Sequence, residues 1–169
     1  DDVHKSSKGY ATMGAAAAVA AFSNAFLRRP WKPLQVAKDA QGRWRMRVDG
    51  DDLILRYDVP WGGQLELDNA TWEQRQRGFY LFNSGGTEKT ITDVVVEGRD
   101  ELRLVGATAA ATDILRIGFK DPTLTTSASV ATNLRDQQGD TITFDDLDGT
   151  PMHNWAIAEQ HTITAGELA

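Results

Sequence analysis

Arg43-Trp44-Arg45-Met46-Arg47-Val48 alternates charged and apolar residues without a fault, and after Asp49-Gly50-Asp51 the apolar set resumes at Leu53, Leu55, Tyr57 and Val59. Successive side chains of a strand point to opposite faces, so this alternation predicts two strands with one wet face and one dry face. The Asp/Gly cluster between them suits a tight turn, which makes the pair a hairpin. The same grammar recurs at residues 64–67, 78–82, 90–97, 101–105, 114–119 and 141–144. Turn clusters separate these stretches, as in Asn83-Ser84-Gly85-Gly86, Gly98-Arg99-Asp100 and Gln138-Gly139-Asp140. About eight short strands with one convincing helix read as an antiparallel sandwich or jelly roll.

That helix lies ahead of the hairpin. Residues 9–27 carry no charge and eight alanines. Alanine is nearly indifferent to a bilayer and Ser23-Asn24 interrupts the stretch, so a buried helix fits better than a membrane span. It is expected over residues 7–27, with Ser6 or Ser7 as N-cap, Arg28 and Arg29 at its negative end and Pro30 as its stop. Val19, Phe22 and Phe26 fall at i, i+3 and i+7, a stripe that needs a partner surface. The grammar changes at Pro30-Trp31-Lys32-Pro33, which divides the chain into residues 1–33 and residues 34–169.

Composition excludes several function classes. The 169 residues hold 18 Lys+Arg against 24 Asp+Glu, a net charge of −6, which argues against non-specific nucleic-acid binding. There is no cysteine, so disulfide scaffolds, zinc ribbons and thiol nucleophiles are excluded by counting. Asp145-Asp146-Leu147-Asp148-Gly149 has the oxygen density of a calcium loop but lacks the distal ligands, and reads as an acidic turn. No metal is expected.

The sharpest local feature is Asp1-x-x-His4. A carboxylate three residues from an imidazole can accept the imidazole N–H and free the other nitrogen to act as a base. Taken alone, the tetrapeptide equally describes a solvated loop. The sequence continues Lys5-Ser6-Ser7-Lys8-Gly9-Tyr10-Ala11-Thr12-Met13-Gly14. Asp-x-x-His, a few polar residues, Gly-Tyr and a small-residue helix with Met-Gly resemble the last block of the SGNH/GDSL hydrolases. The resemblance implies that Asp1 orients His4, that His4 is the general base, and that Asp2 has no catalytic role. It also implies an α+β fold: the closing helix of a flavodoxin-like α/β/α domain (residues 1–33), then an antiparallel, jelly-roll-like β-sandwich (residues 34–169).

Further along, Gly78-Phe79, Val96-Glu97-Gly98-Arg99-Asp100-Glu101-Leu102 and Leu115-Arg116-Ile117-Gly118-Phe119 follow the order of the β-rich part of sialate O-acetylesterase-like proteins. Asn133-Leu134-Arg135-Asp136 is similar to a turn, and Pro151-Met152-His153-Asn154-Trp155 to a closing strand, at the end of bacterial and phage relatives. The implied activity is carbohydrate O-acetyl ester hydrolysis without a cofactor, in a secreted or virion-borne parent.

No Gly-Asp-Ser block occurs in these residues. The nucleophilic Ser and the oxyanion donors are therefore expected on an upstream segment or chain, which would be the partner of this one. Trp61 and Trp72, in loops, are expected to be exposed and are candidates for stacking on sugar. His153 contacts sugar, acts as a second base, or is a packing histidine. His161 reads as an exposed strand position without a partner, and Trp44 as core. The alternative reading is a non-catalytic β-sandwich that binds carbohydrate or docks a subunit.

Overall fold

The computed structural model describes residues 7–28, 32–59, 63–69, 75–119, 132–138, 143–144, 150–151, 153 and 155–167. Helix α1 spans Ser7–Ala25. It closes with the N–H groups of Phe26 and Leu27 both donating to the Phe22 carbonyl, at 2.9 and 3.2 Å. Phe22 and Phe26 stack on each other at 5.3 Å, yet Phe26 is 75% exposed and Leu27 is also exposed. The apolar end of α1 therefore faces outward. No helix of the described residues is long and apolar enough to cross a membrane.

The hairpin read from the sequence forms as expected. Strands β2 (Met46–Asp49) and β3 (Asp52–Asp58) pair antiparallel with Asp49 opposite Asp52, and Gly50 supplies the positive φ (62°) of the loop. On the other side of β3 lie β8 (Glu101–Val105) and then β7 (Asp93–Glu97), while β1 (Gln35–Val36) pairs with the far end of β3, completing a five-stranded sheet. A four-stranded sheet runs β13 (Glu159–Thr162), β9 (Ile114–Ile117), β5 (Phe79–Phe82), β6 (Glu88–Lys89). Two ribbons complete the set: β4 (Leu65–Leu67) with β10 (Leu134–Asp136), and β11 (Thr143–Phe144) with β12 (Thr150–Pro151).

Register converts alternation into layers. On the inner side of the first sheet, Met46, Leu55, Leu102 and Val96 align across the strands, next to a row of Val48, Leu53, Leu104 and Val94. Phe79 faces Ile117 and Leu81 faces Leu115 in the second sheet. Residues of both sheets form one core with Leu65, Leu134 and Ile163, the arrangement of two sheets face to face. Each such side chain contributes about 1.5–3 kcal/mol by leaving water.

The structure corrects the expected fold class. Among the described residues there is one helix, every strand ladder is antiparallel, and no flavodoxin-like α/β/α layer exists. A flavodoxin-like domain needs parallel strands joined by crossover helices. The period-2 segments dominate instead, giving a mostly β architecture with a leading helix. Asn133-Leu134-Arg135-Asp136, read as a turn, contributes strand β10, because Leu134 is drawn wholly into the core opposite Leu67. Asp145-Asp146-Leu147-Asp148-Gly149 lies outside the described residues.

Candidate functional site

Asp1, His4, Trp61 and Trp72 lie outside the described residues, as does Trp31. His153 is described, and it belongs to a charge network centred on Arg135. The Arg135 guanidinium, on β10, reaches Asp68 through Nε at 3.2 Å and Glu66 through Nη2 at 3.2 Å. Its Nη1 donates to the Asp136 carbonyl at 3.1 Å and approaches His153 Nδ1 at 2.6 Å. His153 Nδ1 also lies 3.0 Å from the Asp136 carbonyl, so the guanidinium, the ring nitrogen and the carbonyl meet at one point. Trp155 packs edge-on to the same ring, at 6.5 Å between centroids. His153 Nδ1 is thereby engaged within the Arg135 network.

A second polar cluster is buried between the sheets, where the sequence pointed to exposure. His161, expected at an exposed position without a partner, is 2% exposed, with its Nε2 3.1 Å from Glu159 Oε2. Position alternation along β13 sends Glu159 and His161 to the same inner face, and a four-residue strand is too short for its sequence to announce which face that is. Glu159 Oε1 accepts from the Val36 N–H at 3.1 Å, so a side chain of one sheet satisfies the backbone of the other. The His161 ring meets Trp44 edge-on at 4.2 Å, and the Lys38 ammonium sits 4.0 Å from the Trp44 centroid. Trp44 is thereby half-buried against the core, as read, and its faces are engaged.

Tyr57 completes this cluster. It is 2% exposed, and its hydroxyl has no hydrogen-bond partner among the described residues. Burial first, and then the Glu159 charge, push its pKa well above the ordinary tyrosine value. A raised tyrosine pKa favours the neutral phenol in the fold. The associated stability is intact below about pH 10 and is lost as pH rises beyond it toward the folded-state value. Because the buried hydroxyl is unsatisfied, Tyr57→Phe is expected to raise stability by about 1 kcal/mol, read as a higher urea midpoint, and to abolish that alkaline loss. A destabilised Tyr57→Phe protein would refute the assignment.

The outer face of the five-stranded sheet is charged around an apolar floor. Arg47, Ile54, Arg103 and Val95 align across four strands there. Ile54 is only 1% exposed although it stands outside the core, covered by the arginine stems beside it. Arg103 is held by Glu97 at 2.6 Å, Asp52 at 2.8 Å and Asp49 at 3.0 Å, which raises its pKa above the ordinary value. Asp52 also accepts from the Gly106 N–H at 2.7 Å. That bond, followed by Arg103, lowers its pKa. A depressed carboxylate pKa contributes stability above the unfolded value, near pH 3.9, and loses it as pH falls through the folded one. Asp52→Asn is therefore expected to lower stability at neutral pH and to flatten its decline between about pH 4 and pH 2, measured by urea unfolding across pH. An unchanged acid limb would count against this role.

Two cavities, of about 290 Å³ and about 380 Å³, share Arg45 and Arg56 in their walls. The first has Ile54 and Trp44 in its lining; the second has Tyr57 and Val59. Sequence reasoning did not find these cavities. The arginine alternation at 43–47 was the available signal, but it was read only as the wet face of a strand. Among the described residues no group of three or more His, Asp or Glu side chains could hold a metal ion. No family model matches the chain, and neither a curated protein nor a solved structure does.

Proposed function

We propose that the chain is the C-terminal part of an SGNH-type serine esterase acting on O-acetylated carbohydrate, with Asp1 and His4 as two members of its Ser-His-Asp triad. The observation that carries this reading is the placement of Asp1-x-x-His4 three residues ahead of α1, a helix whose Phe22, Phe26 and Leu27 face outward. A helix that exposes two stacked phenylalanines offers a surface for the segment that bears the nucleophile. The Ser and the oxyanion donors come from that segment, since these residues hold no Gly-Asp-Ser block.

In the proposed reaction the Ser oxygen attacks the acetyl carbonyl carbon as His4 takes the hydroxyl proton. The ester C–O bond then breaks, and His4 returns the proton to the departing sugar oxygen. Water repeats the sequence on the acetyl-enzyme and releases acetate. Asp1 orients the ring and stabilises the imidazolium.

The test is hydrolysis of an aryl acetate and of an acetylated saccharide by this chain joined to, or mixed with, its upstream segment. Activity with both substrates is expected. No hydrolysis in any combination would overturn the reading and leave the non-catalytic binding module.

A further inference from the structure

We infer that the cleft around Arg45, where the two cavities share a wall, binds a hydroxylated monocarboxylate, a uronic-acid saccharide in chemical class, with Arg45 holding the carboxylate. The arginines around the cleft differ in their commitments. Arg43 is paired with Asp39 at 2.8 Å, Arg47 with Glu101 at 3.1 Å and Arg56 with Asp100 at 2.8 Å. Arg99 donates to the Gly63 carbonyl at 2.8 Å. Only the Arg45 guanidinium has no ion pair or side-chain hydrogen bond among the described residues, and it lines both cavities.

Its position sharpens the point. The β2–β3 register sets Met46 against Leu55, and the Arg56 N–H donates to the Arg45 carbonyl at 2.9 Å, so two arginines stand side by side on neighbouring strands. Like charges in that arrangement destabilise a sheet unless an anion lies between them. Arg56 has its anion in Asp100; Arg45 has none. A guanidinium presents paired donors in a fork that matches a carboxylate.

The rest of the lining selects the ligand class. Five arginines (43, 45, 47, 56 and 99) face five carboxylates (Asp39, Asp58, Asp100, Glu101 and Glu167), so the cleft is electrically balanced. Such a wall has no net positive charge with which to hold a polyanion. It accepts a ligand with a single carboxylate and several hydroxyl donors, the hydroxyls going to the unused carboxylate oxygens of Asp58, Asp100 and Glu101. An acidic peptide would bring unpaired backbone groups, which this sheet face, unlike a sheet edge, cannot satisfy. The inference does not rest on the esterase reading.

The experiment titrates the ¹⁵N-labelled chain with methyl glucuronide, with methyl glucoside and with sodium acetate, followed by amide shifts. Methyl glucuronide is expected to move resonances of residues 45–47, 54–58 and 99–101 and to saturate, with the glucoside and acetate each binding at least about tenfold more weakly. Arg45→Ala is expected to cost the glucuronide about tenfold or more in affinity while leaving the glucoside unchanged, and Arg45→Lys to recover part of the loss. Unperturbed shifts elsewhere in both variants check the fold. Equal binding of glucuronide and glucoside, acetate matching the glucuronide, shifts confined to another surface, or full affinity in Arg45→Ala would each overturn the assignment.

Discussion

On the proposed esterase reading, His4→Ala is expected to lower aryl-acetate turnover by at least about ten-thousand-fold in the chain assembled with its nucleophile-bearing segment, with KM little changed. The size follows from the chemistry. Without the imidazole nothing removes the proton from the attacking hydroxyl, and the alkoxide of a leaving sugar must depart unprotonated. The KM expectation follows because the general base touches the nucleophile rather than the ground-state acetyl group. Asp1→Asn is expected to fall by a comparable factor, since an amide in place of the carboxylate fixes the wrong tautomer and cannot stabilise the imidazolium. Asp2→Ala, between them, should leave the rate unchanged. The three variants are assayed side by side, with the thermal midpoint of each as the check on folding. Equal activity in His4→Ala and the parent would sink the triad assignment, and a fall in Asp2→Ala as deep as in Asp1→Asn would show that the motif acts by structure alone.

Glu159→Ala is expected to cost about 3 kcal/mol, measured by urea unfolding at pH 7. Glu159 is buried at the meeting of the two sheets, where one oxygen accepts from the Val36 N–H and the other lies 3.1 Å from the His161 ring. Truncation orphans the Val36 N–H and removes the carboxylate beside the His161 ring where water does not reach, and a buried donor left unpaired costs about 1–3 kcal/mol. Glu159→Gln keeps an acceptor for Val36, so about half of the loss should be recovered. It also removes the charge that, after burial, raises the Tyr57 pKa, so the tyrosine titration in this variant should move toward lower pH. A loss below about 0.5 kcal/mol in Glu159→Ala would mean that solvent reaches the cluster. An unmoved Tyr57 titration in Glu159→Gln would mean that burial alone governs that hydroxyl.

These two sites mark opposite ends of what a one-dimensional reading can reach. Asp1-x-x-His4 is a local pattern that can be read from four residues, and it lies outside the described residues. Helix α1 was legible for a similar reason: an unbroken uncharged alanine run carries its own propensity, and the helix begins at Ser7 as expected. The β2–β3 hairpin was announced by alternation and an Asp/Gly turn. Strand β8 falls on the expected residues 101–105.

Long-range placement was the part the residues alone did not carry. His161 looked exposed because its strand is short, and only the β9–β13 register, His161 against Leu115, turns it inward to Glu159. Asn133-Leu134-Arg135-Asp136 looked like a turn until β4 offered Leu134 a place in the core. The flavodoxin-like layer expected from the first block does not form among the described residues, because a family motif at one end dictates nothing about the pairing of strands that follow it. The arginines at 43, 45 and 47 looked equivalent in the alternating segment. Their ion pairs, made with residues four to fifty-four positions away, leave Arg45 alone uncommitted between two cavities. Local chemistry and periodicity are written along the chain, whereas which polar group is buried, and which charge is left over, depends on partners that only folding brings within reach.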